Sequence, residues 1–227
     1  MKNKYIIKSN KKKINQIKNI EEAISILKKN SKKNFIESCD VVVMLGINTK
    51  KTDENVRGFT VLPNGIGKKI TVLVFAHGEK AEEAKKAEAD FIGMEDLVKK
   101  IKRKKIKFDV AVATPESMKT ISVLGSILGP KGLMPNYKMG TVTSKIFETV
   151  KKIKNGQIRY KNDKNGIIHT SIGKINFSKK EIKENLISFI NTLKKQKPNH
   201  IKGIYFKKLF LTTTMGKSIE INQSEIE

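Results

Sequence analysis

Apolar positions recur in two rhythms along this chain, and the rhythm changes twice. Ile20, Ala23, Ile24 and Leu27 sit at the spacing of one helical face, which predicts a helix over residues 21–30. Glu21 and Glu22 open it and Lys28 and Lys29 close it, both in the sense that suits the helix dipole. Residues 35–45 are rich in β-branched side chains and read as a strand. A polar loop follows over 48–55, then a second strand over 56–62. Pro63-Asn64-Gly65-Ile66-Gly67 breaks regular structure.

After that break the pattern is different. Residues 70–76 form a continuous apolar run, as in a strand covered on both faces. Residues 79–87, rich in Ala, Glu and Lys, predict a helix. A short strand at 90–93 is followed by a helix over 94–105, with Leu97, Val98 and Ile101 on one side. Residues 108–113 are another apolar strand, and Thr114-Pro115 predicts a helix start, with Thr as N-cap and Pro in the first turn. A further helix over 143–154 stops near Gly156. This alternation predicts a parallel α/β layer with right-handed crossovers.

Strand patterning resumes at 157–161 and 166–175. Ser178 and Glu181 have capping-box spacing, and Ile182, Leu186, Phe189, Ile190 and Leu193 then make one apolar helical face that ends before Pro198. Residues 203–213 and 218–221 read as late strands. Glycine-containing breaks near 65–67 and 155–156 therefore flank the α/β block. A block inserted into an outer one fits this pattern, and a plain tandem of two domains fits it nearly as well.

Charge adds a partner to the picture. The net charge is +25, almost all of it Lys, with Arg only at Arg57, Arg103 and Arg159. A compact chain with this charge repels itself unless a polyanion neutralises it, and Lys beside phosphates releases condensed counterions. Nucleic acid is the first candidate, and a solubilising surface or a compositional Lys bias is the bland alternative. Residues 1–19 read as a basic arm that orders on binding. Cys39 is the only cysteine, which excludes an internal disulfide and suits a reducing compartment. Among its strand neighbours it reads as a small packed side chain. His77, His169 and His200 have no metal-ligand spacing, so no metal is expected. No apolar run reaches the ~20 residues of a membrane span. The expectation is a soluble, intracellular protein without a membrane partner.

The segment from Gly125 to Thr143, with Leu128-Gly129-Pro130-Lys131-Gly132-Leu133-Met134-Pro135-Asn136 and then Lys138-Met139-Gly140-Thr141-Val142, is the most unusual in the chain. Its Gly and Pro fix a loop, and Lys131 and Lys138 supply charge. It lacks the Gly-x-x-x-x-Gly-Lys-Ser/Thr of a phosphate-cradling loop, and Gly65-Ile66-Gly67-Lys68 is too short to replace one. A nucleotide-dependent transferase would need such a loop with a paired acid or base. Neither is present, so no cofactor and no catalytic residue is expected.

This loop belongs to a larger set. Val56-Arg57-Gly58, Leu62-Pro63-Asn64-Gly65-Ile66-Gly67-Lys68 and Gly78-Glu79-Lys80-Ala81 come first. Phe108-Asp109-Val110-Ala111-Val112-Ala113-Thr114-Pro115, the loop itself and Thr212-Thr213-Thr214-Met215-Gly216 follow. In this order and spacing the chain resembles the bacterial ribosomal protein L-one family over nearly its whole length. Tyr137 and Lys217 depart from it, each standing where the family usually has Pro. The first leaves the loop less rigid, and the second adds a positive charge.

The resemblance implies an α+β fold of two domains. A split outer α/β sandwich, 1–66 with 157–227, would bind RNA. A three-layer Rossmann-like α/β domain, 67–156, would be inserted through two hinge strands at Gly65, Gly67, Lys154 and Gly156. That layout does not imply nucleotide binding. It further implies a non-enzymatic constituent of the large ribosomal subunit, in the cytoplasm of a bacterium or, as the lesser alternative, in an organelle. Large-subunit rRNA at the mobile stalk beside the tRNA exit site is the expected partner. Exit-site tRNA, whose release it assists, and its own mRNA, whose translation it represses, are further partners, and the free protein is expected to be a monomer. Carried over by position, the RNA-facing residues are Phe35, Glu37, Ser38, Thr214, Met215 and Gly216, with Lys174 and Lys4 as phosphate contacts. Gly129, Pro130, Lys131, Gly132 and Lys138 form the inserted domain's loop. Taken alone, Phe35 reads equally as core, Thr214 as a strand former and Met215 as a gap-filler. The roles available to them are apolar contact from Phe35 and Met215, and hydroxyl bonds from Ser38 and Thr214. Glu37 would accept from a 2′-OH or guanine amine or orient a Lys, and Gly216 would allow close backbone approach.

Overall fold

The computed structural model describes residues 18–31, 34–103, 105–198, 201 and 203–222. Lys4, His200 and most of the basic arm lie outside the described residues. Helix α1 (Ile20–Asn30) buries Ile20, Ala23, Ile24 and Leu27, the face its spacing predicts. Strand β1 (Ser38–Leu45) alternates buried Cys39, Val41, Val43 and Leu45 with half-buried neighbours, so one face meets a core. It begins three residues later than the sequence pattern suggests, because Phe35 and Ile36 turn outward, 48% and 58% exposed. Strand β2 (Arg57–Val61) alternates in the same way.

Strand β3 (Val72–Phe75) is buried at every position, as its unbroken apolar run requires. Helix α2 (Glu79–Lys86), strand β4 (Phe91–Gly93), helix α3 (Glu95–Lys102) and strand β5 (Val110–Ala113) follow. The helix expected from Thr114 starts instead at Met118. The Thr114 hydroxyl accepts from the Ser117 N–H at 3.2 Å, and Ser117 Oγ donates to the Phe75 carbonyl at 3.1 Å. These bonds hold 114–117 as a turn, and the helix is broken into α4 (Met118–Ile121) and α5 (Gly125–Leu128) around a 3-10 turn at Ser122–Leu124. Helix α6 (Ile146–Lys154) starts late for the same kind of reason, since Thr143 Oγ1 accepts from the Lys145 N–H at 3.1 Å.

Strands β6 (Gln157–Lys161) and β7 (Ile167–Lys174), helix α7 (Lys179–Lys195) and strands β8 (Phe206–Thr213) and β9 (Ile219–Ile221) complete the described elements. At the start of α7 the Ser178 side chain accepts from the Glu181 N–H and Glu181 returns the bond, a closed capping box. All five predicted apolar positions of α7 are buried, and burying such a side chain stabilises by roughly 1.5–3 kcal/mol.

Among the described residues three sheets result. β7-β1-β8-β9 is antiparallel with β1 and β8 inside. β2 and β6 form an antiparallel ribbon. β4-β3-β5 is parallel. The first core lies between the four-stranded sheet, α1 and α7, and every buried member comes from residues 20–62 or 158–221. A second core joins Val72, Val74, Val110 and Val112 to α2 and α6. A third joins Leu73, Phe75, Ala111 and Ala113 to α3, α4 and α5 on the sheet's other face. No buried member of the second or third core lies outside 72–153.

Among the described residues no helix is long and apolar enough to cross a membrane, and no cluster of His, Cys, Asp or Glu could hold a metal ion. Cys39 is fully buried in β1, and burial, with Asp40 beside it, pushes its thiol up to about 12.

Candidate RNA interface

The register of the four-stranded sheet brings distant residues to one edge. Ser38, the first residue of β1, lies opposite Lys174, the last of β7, and Cys39 lies opposite Thr213, the last of β8. The Thr214-Met215-Gly216 turn therefore leaves β8 beside Glu37 and Ser38. The Ser38 N–H donates to Thr214 Oγ1 at 3.1 Å across 176 positions of sequence. Thr214 accepts there with one lone pair, which leaves its O–H to donate outward. Lys174 Nζ donates to Ser38 Oγ at 2.9 Å.

The turn itself is tight. The Gly216 N–H donates to the Thr213 carbonyl at 3.2 Å, and a Cβ at Gly216 would fall 2.2 Å from Thr213 Oγ1. Glycine is needed there for close approach, and the approach is to the protein's own strand. Met215 at the apex is 59% exposed. With Phe35 and Ile36 it sets three large apolar side chains at a surface edge that also carries Lys174, Lys217 and two hydroxyls.

Glu37 is placed differently from its expected role. It is 1% exposed, its carbonyl accepts from the Ile175 N–H at 3.0 Å, and its carboxylate lies 3.5 Å from the Met215 N–H. It sits buried beneath the turn. At this edge sequence reasoning missed the exposed Ile36. Its only signal was an apolar side chain next to Phe35 and just ahead of a strand.

The expected hinge residues fall where the chain passes between the first core and the other two. Gly65, Gly67 and Gly156 all have positive φ, at 65°, 70° and 98°. A Cβ at Gly156 would lie 2.4 Å from the Gly65 Cα, so the two crossing segments touch backbone to backbone. Buried Asn185 of α7 ties the crossing to the first core, accepting from the Asn64 N–H at 3.1 Å and donating to the Gly65 and Ile172 carbonyls. Sequence reasoning missed Asn185, a lone polar position on an otherwise apolar helix face. Lys154 is the last residue of α6 and its ammonium reaches the Glu88 carbonyl, so the turn falls at Asn155 and Gly156.

In the Gly129–Gly132 turn, Gly129, Pro130, Lys131 and Gly132 are all exposed, as is Lys138 in the next turn. Gly132 and Met139 line one cleft of about 430 Å³ together with Lys68, Asp109, Arg159, Lys161 and His169. Arg159 donates to the Asp109 carbonyl at 3.0 Å, and Lys68 meets the Asp109 carboxylate at 2.7 Å. Burial pulls the Asp109 carboxyl up, but Lys68 and the Thr71 N–H outweigh it and hold it below the usual carboxylate range.

Residues 27–217 match the model of the ribosomal protein L1p/L10e family. The chain belongs to that family. Among curated proteins it is 54% identical over 211 residues to a large ribosomal subunit protein uL1 from Buchnera aphidicola, subspecies Acyrthosiphon pisum, strain Tuc7. That alignment covers 93% of this chain and 91% of the relative. It is 53% identical to the Vibrio vulnificus strain YJ016 protein of the same name, over 91% of this chain and 89% of that one. The Pasteurella multocida strain Pm70 protein is 52% identical, over 91% and 90%. Family membership makes the chain a ribosomal protein of the large subunit with a structural and not an enzymatic role. Its bacterial relatives set it in the cytoplasm, on the ribosome.

Proposed function

We propose that this chain binds large-subunit rRNA at the mobile stalk beside the tRNA exit site, through the edge formed by Phe35, Ser38, Lys174, Thr214, Met215 and Gly216. The observation that carries the reading is the 3.1 Å bond from the Ser38 N–H to Thr214 Oγ1, which joins the two ends of the chain under an exposed Met215. Phe35 and Met215 lie against the ribose and base edges of a shallow minor groove, and the Thr214 and Ser38 hydroxyls pair with 2′-OH groups. Glu37 acts from below by positioning the turn. Lys174 and Lys217 add phosphate contacts, which strengthen binding without selecting sequence.

The proposed division of labour follows the cores. Residues 1–66 and 157–227 form an RNA-binding domain, and 67–156 an inserted Rossmann-like domain that reaches exit-site tRNA and assists release of the deacylated form. The separate membership of the three buried cores supports this split. A second role, repression of its own mRNA, would use the same edge on a message that mimics the stalk. Gly65, Gly67 and Gly156 serve as the hinge, since a few loop residues of unusual backbone conformation absorb domain motion, and opening it would release the Arg159–Asp109 and Phe59–Gly140 contacts.

The test is a titration of a stalk rRNA transcript with the full chain and with a chain in which 67–156 is replaced by a short bridge. Most of the affinity should survive the deletion. A folded bridged chain that binds more than ~100-fold more weakly, about 2.7 kcal/mol, contradicts the division of labour.

A further inference from the structure

We propose that the Asn136–Gly140 tip is a second RNA-contact site, in which Tyr137 stacks on an exposed nucleobase while Lys131 and Lys138 take adjacent phosphates. The proposal deepens the reading in which the inserted domain reaches tRNA, and it is independent of the Phe35–Met215 edge.

Tyr137 is 64% exposed, whereas Tyr160 and Tyr205 are buried at 2% and 5%. A large ring held in water on a fixed tip contributes nothing to a core. The tip is fixed by its own bonds. Asn136 Oδ1 accepts from the Lys138 N–H at 2.8 Å, and the Asn136 carbonyl accepts from the Met139 and Thr141 N–H groups at 3.2 Å. The Asn136 N–H donates to Thr141 Oγ1 at 2.8 Å. Thr141 is fully buried, and its carbonyl accepts from the Ala113 N–H at 2.9 Å, which ties the tip to β5. Gly140 closes the turn at φ 65°, with the Phe59 ring packed where its Cβ would be, 2.7 Å away. The backbone under Tyr137 is therefore ordered before any ligand arrives, and stacking costs little beyond side-chain freedom.

Charge selects the ligand class. No Asp or Glu occurs from Ser117 to Phe147, while Lys119, Lys131, Lys138 and Lys145 do. Lys131 and Lys138 are exposed, and Gly132 and Met139 line a common cleft, so the two turns are neighbours. An aromatic face flanked by exposed cations, with the one carboxylate of the shared cleft, Asp109, already held by Lys68, is the arrangement that binds an unpaired base and its phosphates. RNA fits it, and an acid-rich protein surface would leave the ring without a stacking partner.

The full chain, Y137A and Y137F are titrated at physiological salt with a short oligoadenylate, a deacylated tRNA and a stalk rRNA helix. Y137A should bind oligoadenylate and tRNA about 5- to 160-fold more weakly, the range that loss of one stacked base gives. Y137F, which keeps the ring, should stay within about 2-fold of the parent, and stalk rRNA binding should be unchanged in both. Y137A binding both probes like the parent overturns the site. So does Y137F losing as much as Y137A, or stalk rRNA weakening in parallel. Tyr137-dependent binding of oligoadenylate with no tRNA binding keeps the stacking site and removes the tRNA reading. Tyr137-independent binding of tRNA does the reverse.

Discussion

At the residue scale the fold turns on a few positions whose surroundings permit one side chain. Gly156 is one. Its φ of 98° strains any L side chain, and a Cβ would meet the Gly65 backbone at 2.4 Å. Gly156→Ala should therefore destabilise by at least about 1–3 kcal/mol, read as a lower urea midpoint, or open the crossing at Gly65. An unchanged midpoint would mean that the two crossing segments do not touch as described. Cys39 is the opposite case, a reactive group made inert. Burial pushes its thiol up to about 12, so almost no thiolate exists at neutral pH. Native protein should resist iodoacetamide, and the same protein in denaturant should react within minutes. Fast labelling of the native protein would remove Cys39 from the β1 core. Glu37 shows where residue-level reading from a resemblance stops. Its position in the motif is right beside the proposed RNA edge, yet it is buried beneath the Met215 turn.

At the element scale, periodicity located nearly every helix and strand, and its misses have local causes. The α1 and α7 faces were legible because 3.6-residue spacing survives any packing. Strand β3 was legible because a parallel strand covered on both faces leaves no polar position. Thr114, Ser117 and Thr143 defeated the helix starts, since their hydroxyls hold backbone N–H groups in turns that compete with a helix. The late start of β1 was hidden because Phe35 and Ile36 look like strand residues and face outward for another reason. The edge proposed for RNA was not legible from pattern at all. Phe35, Thr214 and Met215 meet only through sheet register, and motif resemblance alone brought them together. Helix α7 offers a test at this scale. Ser178→Ala removes the hydroxyl that caps it and should cost about 1 kcal/mol, seen as a lower melting temperature. The Ser178 N–H and hydroxyl hold Glu181 below the usual carboxylate range. A depressed folded pKa gives stability that is present above the unfolded value of roughly 4.3 and is lost as pH falls through the folded one. The melting-temperature gap between the parent and Glu181→Gln should be constant from about pH 5 to 8 and close in stronger acid. A gap that widens on acidification would contradict the capping box.

At the scale of the whole molecule, charge and shape have separate tasks. In the proposed reading, a net +25 spread largely over lysines would supply affinity for any RNA, while the edge at Phe35, Thr214 and Met215 would supply the choice among RNAs. Log affinity for stalk rRNA should fall with log salt at a slope of about −0.7 to −0.9 per neutralised phosphate, and a flat response would remove the electrostatic half of this account. Selectivity should persist at higher salt, because the apolar contacts are not ionic. The most direct test of the other half is the affinity of Thr214→Val and Met215→Asp for stalk rRNA and for a random duplex, with melting temperatures measured alongside. Thr214→Val keeps the shape and loses hydrogen bonds, so it should weaken stalk binding by about 0.5–1.5 kcal/mol. Met215→Asp sets a carboxylate against phosphates and should cost more, and both should leave duplex binding nearly unchanged, while Thr214→Val, which also loses the bond from the Ser38 N–H, should lower the melting temperature slightly. If both folded variants bind stalk rRNA like the parent, the recognition surface lies on another face of the molecule.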